Sequence, residues 1–376
     1  MRVPFNRPFA TGDEFRYIQE AIESGNLSGD GTFTRRCQEW LVRETGAGKA
    51  LLTHSCTAAL EMCALLLEVG PGDEVIMPSF TFVSTANAFA LRGATPVFVD
   101  VRPDTLNLDE GLLEEAVTPR TKAICVVHYA GVACAMDEIL AVAAKHGLAV
   151  VEDDAQGSMA RYRGRPLGGI GTLGAISFHE TKNLISGEGG ALLVNDPRYA
   201  LRAETIWQKG TNRSQFARGE VEKYSWVDLG SSFLPSEMTA AFLWAQLDRA
   251  AEITARRLEI WNHYHRAFAE AERRGQIRRP IVPPECTHNG HLYYLLAPTI
   301  EGRTRLLAAL KRSGVDALFH YVPLHSSPAG RRYGRVHGSM RVTESISERL
   351  VRLPVWLGLG EAEVDRIIET VVEATR

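Results

Sequence analysis

The chain has 376 residues, Lys+Arg 42 against Asp+Glu 45, a net charge of −3, and is 45% hydrophobic and 23% charged. At roughly 150 residues per domain this length gives about two domains with a large apolar core, which excludes disordered, collagen-like and disulfide-scaffold classes. The charge balance argues against a nucleic-acid or membrane-surface partner, since both demand a basic excess.

The first residues, Met1 to Pro8, lack the apolar core of a signal peptide, and no run is long enough to span a membrane. Six cysteines (Cys37, Cys56, Cys63, Cys125, Cys134 and Cys286) form no C-x-x-C pair. Reduced thiols in a cytoplasmic protein are the expectation. The arginine pairs Arg256-Arg257, Arg273-Arg274, Arg278-Arg279 and Arg331-Arg332 read as solvated surface.

In chain order, residues 11–25 read as a helix. Thr11 and Glu14 give a capping box, Phe15, Ile18 and Ile22 share a face, and Gly25 stops it. A second helix is predicted over 34–45. From 50 to 195, seven short apolar runs alternate with helical stretches: 50–53, 75–77, 96–101, 123–127, 149–151, 175–178 and 191–194. The helical stretches lie near 58–68, 81–91, 110–117 and 136–146. Apolar runs of this kind are strands buried on both faces, and the alternation predicts an α/β fold with a mostly parallel sheet. Residues 236–274 read as a long helix, broken in places. A smaller α/β unit follows, with strands at 291–297 and 315–322 and helices at 303–312 and 361–374. The predicted domains are 1–250 and 251–376.

Ligands of such sheets bind beyond the carboxyl ends of the strands, so the residues just after each run carry the chemistry. Gly169-Ile170-Gly171-Thr172-Leu173-Gly174 matches a dinucleotide fingerprint, but it precedes a strand instead of following one and is set aside. His179-Glu180-Thr181-Lys182-Asn183 lacks the second histidine of a zinc-protease helix. Glu152-Asp153-Asp154 ends a strand; it could hold Mg²⁺, cap a loop, or pair with a cationic ring. Ser55-Cys56-Thr57 stands where a strand gives way to a helix, and serves either as a cap or as a phosphate cradle. Lys182 follows another strand. Phosphate cradle, carboxylate and amine are together what pyridoxal phosphate requires.

These segments resemble the DegT-type nucleotide-sugar aminotransferases, a branch of the fold type I pyridoxal-phosphate enzymes. The matching stretches are 55–60, 78–85, 152–156, 177–183, 187–190 and 320–325. The resemblance implies a large cofactor domain built on a seven-stranded sheet, a smaller C-terminal α/β domain, and a homodimer with active sites at the subunit interface. It gives Lys182 the bond to the cofactor's aldehyde and Asp153 the ring nitrogen. It gives Gln156 the ring hydroxyl, Phe82 the stacking face, and Cys56, Thr57 and Ser177 the phosphate. His320, Tyr321 and His325 would line the sugar-nucleotide cleft. The family usually carries Gly-Tyr-Asn-Tyr-Arg where this chain has Gly230-Ser231-Ser232-Phe233-Leu234, so Ser232 takes the place of an asparagine that reaches the partner's phosphate. This variant resembles the dTDP-4-amino-4,6-dideoxygalactose transaminase branch. The expected reaction moves an amino group from L-glutamate to a nucleotide-linked 4-keto-6-deoxy sugar. A different keto sugar nucleotide, a non-catalytic cofactor-binding protein and a Mg²⁺-dependent hydrolase built on Glu152, Asp153, Asp154 and His179 are the competing readings.

Overall fold

The computed structural model describes residues 2–376. Seven strands fall where the apolar runs predict them: β1 (Lys49–Thr53), β2 (Glu74–Pro78), β3 (Thr95–Val99), β4 (Thr121–Val127), β5 (Ala149–Asp154), β6 (Leu173–Ser177) and β7 (Gly190–Val194). Further along lie β8 (Tyr293–Leu296), β9 (Arg335–Val336) and β10 (Leu350–Leu353). The main sheet has eight strands, one more than expected, in the order β1-β7-β6-β5-β4-β2-β3-β9. All neighbours run parallel except at β7, which is antiparallel to both β1 and β6. The extra strand, β9, is only two residues long and pairs with β3 through Val97 and Phe98. Its Arg335 guanidinium donates to the buried Glu74 carboxylate (2.9 and 2.8 Å), a tertiary anchor that apolar patterning does not reveal.

Helices α1 (Glu14–Glu23) and α2 (Thr32–Thr45) pack on one face of the sheet with Ala50, Leu52, Ala191 and Leu193, and α3 (Cys56–Leu66) packs on the other with Leu51, Leu192 and Val194. The apolar face expected of α1 is only partly right, since Ile18 packs against the core. Phe15 and Ile22 point to solvent, whereas Glu14, Tyr17 and Ala21 are buried. The reason is the helix Glu237–Asp248, on which α1 packs, with Gln246 Nε2 donating to Glu14 (2.8 Å) and Tyr17 set edge-on to Phe33. Glu237 caps α2 from that same helix, accepting from Gly31 N (3.0 Å), Phe33 N (2.8 Å) and Thr34 N (3.1 Å). The long helix is broken twice, into Glu237–Asp248, Ala250–Ala267 and Ala269–Arg273.

A separate apolar core joins Trp261, Tyr264 and Phe268 to Tyr293, Leu306, Val351 and Ile367. Here β8 and β10 pair antiparallel, flanked by Ile300–Arg312 and Glu361–Thr375. Val3 belongs to this core: its N–H reaches Gly314 O (2.8 Å) and its carbonyl takes Asp316 N–H (2.9 Å). The strand expected at 315–322 does not form. That segment is extended but pairs only at single bridges, Val315 with Val3 and Leu318 with Arg352. Among the described residues, no helix is long and apolar enough to cross a membrane.

Candidate active site

A cleft of about 720 Å³ opens at the carboxyl ends of the parallel strands, between the two cores. Sheet register sets its floor. Val127 of β4 lies beside Asp153 of β5, Asp153 beside Ala175 of β6, and Ser177 beside Gly190 of β7. Side chains alternate along a strand, so Asp153 faces the cleft while Glu152 and Asp154 face the other way. That geometry splits the three carboxylates and removes the Mg²⁺ reading. Glu152 has a structural partner set: it accepts from Gly168 N (2.9 Å), Ile170 N (2.7 Å), Gly171 N (2.6 Å) and shares a bond with His128 Nε2 (2.9 Å). The glycine-rich run that mimics a fingerprint is thus a loop tied to Glu152. A Cβ at Gly174 would lie 2.3 Å from Gly168 O, so close packing explains the glycine.

Asp153 accepts from Thr85 Oγ1 (2.7 Å) and Ala155 N (3.2 Å). Burial raises its pKa, opposed by those two bonds and by the Lys182 charge. A buried carboxylate in this position calls for a cationic partner. Lys182 lies on a loop closed by Phe178 N to Gly189 O (2.9 Å) and Ser186 N to Phe178 O (2.7 Å). The same loop is held from outside by Asn6 Nδ2 on Glu180 O (3.2 Å) and by Asn183, bonded to Asn289 O and His291 Nδ1. Desolvation lowers the Lys182 pKa, with the Cys56 thiol and Asp153 acting in the opposite sense. A lowered lysine pKa favours the nucleophilic amine.

At the other end of the floor, Ser55 caps α3 by accepting from Ala58 N (3.1 Å). Among the described residues nothing accepts from the N–H groups of Cys56 and Thr57. Thr57 Oγ1 and Ser84 Oγ share a bond of 2.7 Å beside them. Gly190 permits the approach: a Cβ there would lie 2.4 Å from Cys56 N. This set of N–H and hydroxyl donors at the positive end of a helix suits a phosphate. Phe82 lines the cleft, 59% exposed, and its ring stacks on no other ring among the described residues. Gln156 accepts from Ala130 N (2.7 Å) and donates to Tyr321 (3.1 Å). These residues fit pyridoxal phosphate: a donor cradle, a flat apolar wall, a buried acid and a desolvated amine in one cavity.

Cys56, Thr57, Phe82, Asp153, Gln156, Ser177, Lys182, His320 and Tyr321 therefore share the cleft. His320 bonds Tyr129 through Nδ1 (3.0 Å), and burial lowers its pKa. His325 lies off the cleft, bonded to Ser79 Oγ (2.7 Å) at the end of β2 and to Glu344 (3.3 Å). Ser232 is exposed and also lies off the cleft of its own chain, bridged to Gln208. Sequence reasoning missed Phe5, Asn6, Arg257, His291 and Arg352, all of which line the cleft. Arg257, taken as surface, is buried; it donates to Gly290 O (3.2 Å) and His291 O (2.5 Å), and burial pulls its pKa down to about 10. Its arginine pair with Arg256 gives no hint of this, because helical neighbours point about 100° apart.

A mostly parallel sheet with a lysine, an acid and a phosphate cradle at its carboxyl edge defines a fold type I aminotransferase that uses pyridoxal phosphate. The DegT/DnrJ/EryC1/StrS aminotransferase family matches residues 9–372, and the chain belongs to it. It is 35% identical to the spore coat polysaccharide biosynthesis protein SpsC of Bacillus subtilis (strain 168), over 98% of this chain and 96% of that protein. Among solved structures, the pyridoxal-phosphate form of the putative sugar aminotransferase Spr1654 from Streptococcus pneumoniae superposes with a TM-score of 0.91 at 28% identity, covering 100% of this chain and 99% of that one. DesV of S. venezuelae superposes with a TM-score of 0.87 at 32% identity, covering 97% and 94%.

Proposed function

We propose that this enzyme aminates a nucleotide-linked 4-keto-6-deoxy sugar, converting dTDP-4-keto-6-deoxy-D-glucose to dTDP-4-amino-4,6-dideoxy-D-galactose with L-glutamate as donor. The observation that carries the chemistry is the meeting of Lys182, Asp153 and the open N-terminus of α3 in one cleft. The sugar rests on the resemblance at 230–234 and on kinship with a polysaccharide biosynthesis protein. Pyridoxal phosphate, when bound, supplies the electron sink for labile C–H bonds. Cys56 and Thr57 N–H groups with Thr57, Ser84 and Ser177 hydroxyls hold its phosphate, Asp153 its ring nitrogen, Gln156 its hydroxyl and Phe82 its face. Lys182 Nζ would hold its aldehyde and, as a free amine, would move a proton from the donor's α-carbon to the cofactor's aldehyde carbon.

We further infer a division into domains at 250/251, a cytoplasmic location and a homodimer in which Ser232 reaches the partner's phosphate. Exposed Trp226, Val227 and Leu229 near Ser232, with exposed Phe15 and Ile22 of α1, support a covered face. Incubation of the loaded enzyme with L-glutamate and dTDP-4-keto-6-deoxyglucose, followed by NMR of the product, tests the substrate. The expected product carries nitrogen at C4 with galacto configuration. Conversion only of a 3-keto or UDP-linked sugar would refute it.

A further inference from the structure

Three cationic side chains line the cleft: Lys182, Arg257 and Arg352. The one buried carboxylate among its lining residues is Asp153; Glu188 stands at the rim with its side chain 71% exposed. Arg257 is occupied by two backbone carbonyls. Arg352 is not comparably occupied. It projects from β10, and its Nη2 donates to Phe319 O (3.2 Å). Its Nε is enclosed with no acceptor, and Nη1 donates to nothing among the described residues. The guanidinium sits 4.7 Å from the Phe5 ring centroid and makes no ion pair among those residues. A half-buried cation without an acidic partner is a ready site for an anion.

Two anions could reach this cleft besides the cofactor phosphate: a donor carboxylate and the sugar's diphosphate. The phosphate cradle lies on the opposite wall, at α3. Arg352 stands on the wall of His320 and Tyr321, and the Tyr321 hydroxyl bonds Gln156 (3.1 Å). The proposed function puts Gln156 at the ring hydroxyl, which in pyridoxal is ortho to the reacting aldehyde. Arg352 thus sits on the reacting side of the site, where an amino acid must enter with its nitrogen at Lys182. We infer that Arg352 is the specificity-determining residue that receives a carboxylate of the amino-acid donor. A planar guanidinium fork suits that planar anion better than an ammonium does. The inference rests on the aminotransferase reading above.

The test uses the cofactor-loaded enzyme, its Arg352→Gln and Arg352→Lys variants, and two probes, L-glutamate and glutarate. In Arg352→Gln, cofactor absorbance and borohydride trapping on Lys182 should be unchanged. The KM for L-glutamate in the bleaching half-reaction, and the Kd of glutarate, should rise by about 10- to 100-fold. Arg352→Lys should recover part of that loss and serves as the folding control. The KM for the nucleotide sugar should move by no more than about twofold, the range of a site that loses no contact. An unchanged L-glutamate KM in Arg352→Gln would overturn the inference and leave the aminotransferase reading intact. A loss confined to the nucleotide sugar would likewise overturn it and assign the guanidinium to the diphosphate. A wild-type protein that L-glutamate does not bleach would overturn both readings.

Discussion

The two walls of the cleft are built by different means. The wall from the main sheet is made of strand ends: Asp153 is the penultimate residue of β5, Ser177 closes β6, and Ser55–Thr57 follow β1. Strand register fixes their spacing, so a chemist can read them from a sequence as residues that follow apolar runs. The opposite wall comes from loops, the extended segment, the N-terminal residues and strand β10: Phe5, His291, His320, Tyr321 and Arg352. Nothing local positions these residues. Val3 must dock beside Val315, and β10 beside β8, before Phe5 and Arg352 meet. In the proposed reading, the first wall holds the cofactor and the second meets the substrate.

Substitutions should therefore differ by wall. On the sheet wall, Lys182→Ala should cut turnover by at least about 10³- to 10⁴-fold while unfolding remains cooperative, because the residue lies on a loop outside both cores. Steady-state kinetics and a thermal melt check both halves; loss of folded protein would make the lysine structural. Asp153→Asn should lower turnover on the order of 10²- to 10³-fold and spare cofactor binding, since it removes a charge partner and keeps the shape. Near-normal turnover would assign the wrong carboxylate.

Smaller effects probe what supports each wall. Glu152→Ala should destabilise the fold by roughly 2–4 kcal/mol in urea titration, as three backbone N–H groups and His128 lose their acceptor. The other side should be the acid-sensitive one. Burial holds His288 down at about 4 and pushes His291 and His320 below their ordinary value. Unfolded histidine titrates near 6.5. Below that pH the unfolded chain binds protons the folded one refuses, so stability present above about pH 6.5 is lost as pH falls towards the folded values. His288 alone should account for about 2 kcal/mol of loss at pH 5. Unfolding of His288→Asn at pH 8 and pH 5 checks this: the variant should lose less on acidification, and an identical loss would move the effect elsewhere.

How much was legible follows the same division. All seven runs became strands because strands buried on both faces must be apolar throughout, as Val75–Met77 and Ala123–Val127 are. The eighth, Arg335–Val336, is too short for any pattern and owes its place to Glu74. The stretch 315–322 has strand-like composition but meets the edge of β10 only at Leu318, so no ladder forms. On α1 the helix was legible and its buried face only in part: Ile18 packs inward with Tyr17, while Phe15 and Ile22 stay exposed. Lys182, Asp153 and the α3 start were readable; Arg257 and Arg352 were not, because an arginine's burial depends on which carbonyls and rings fold around it.

The most direct test is to reduce the native protein with borohydride, digest it and weigh the peptides. The peptide containing Lys182 should carry the mass of a reduced pyridoxal-phosphate adduct, with no other lysine modified. A bare Lys182, or the adduct on a different lysine, would contradict the account at its root.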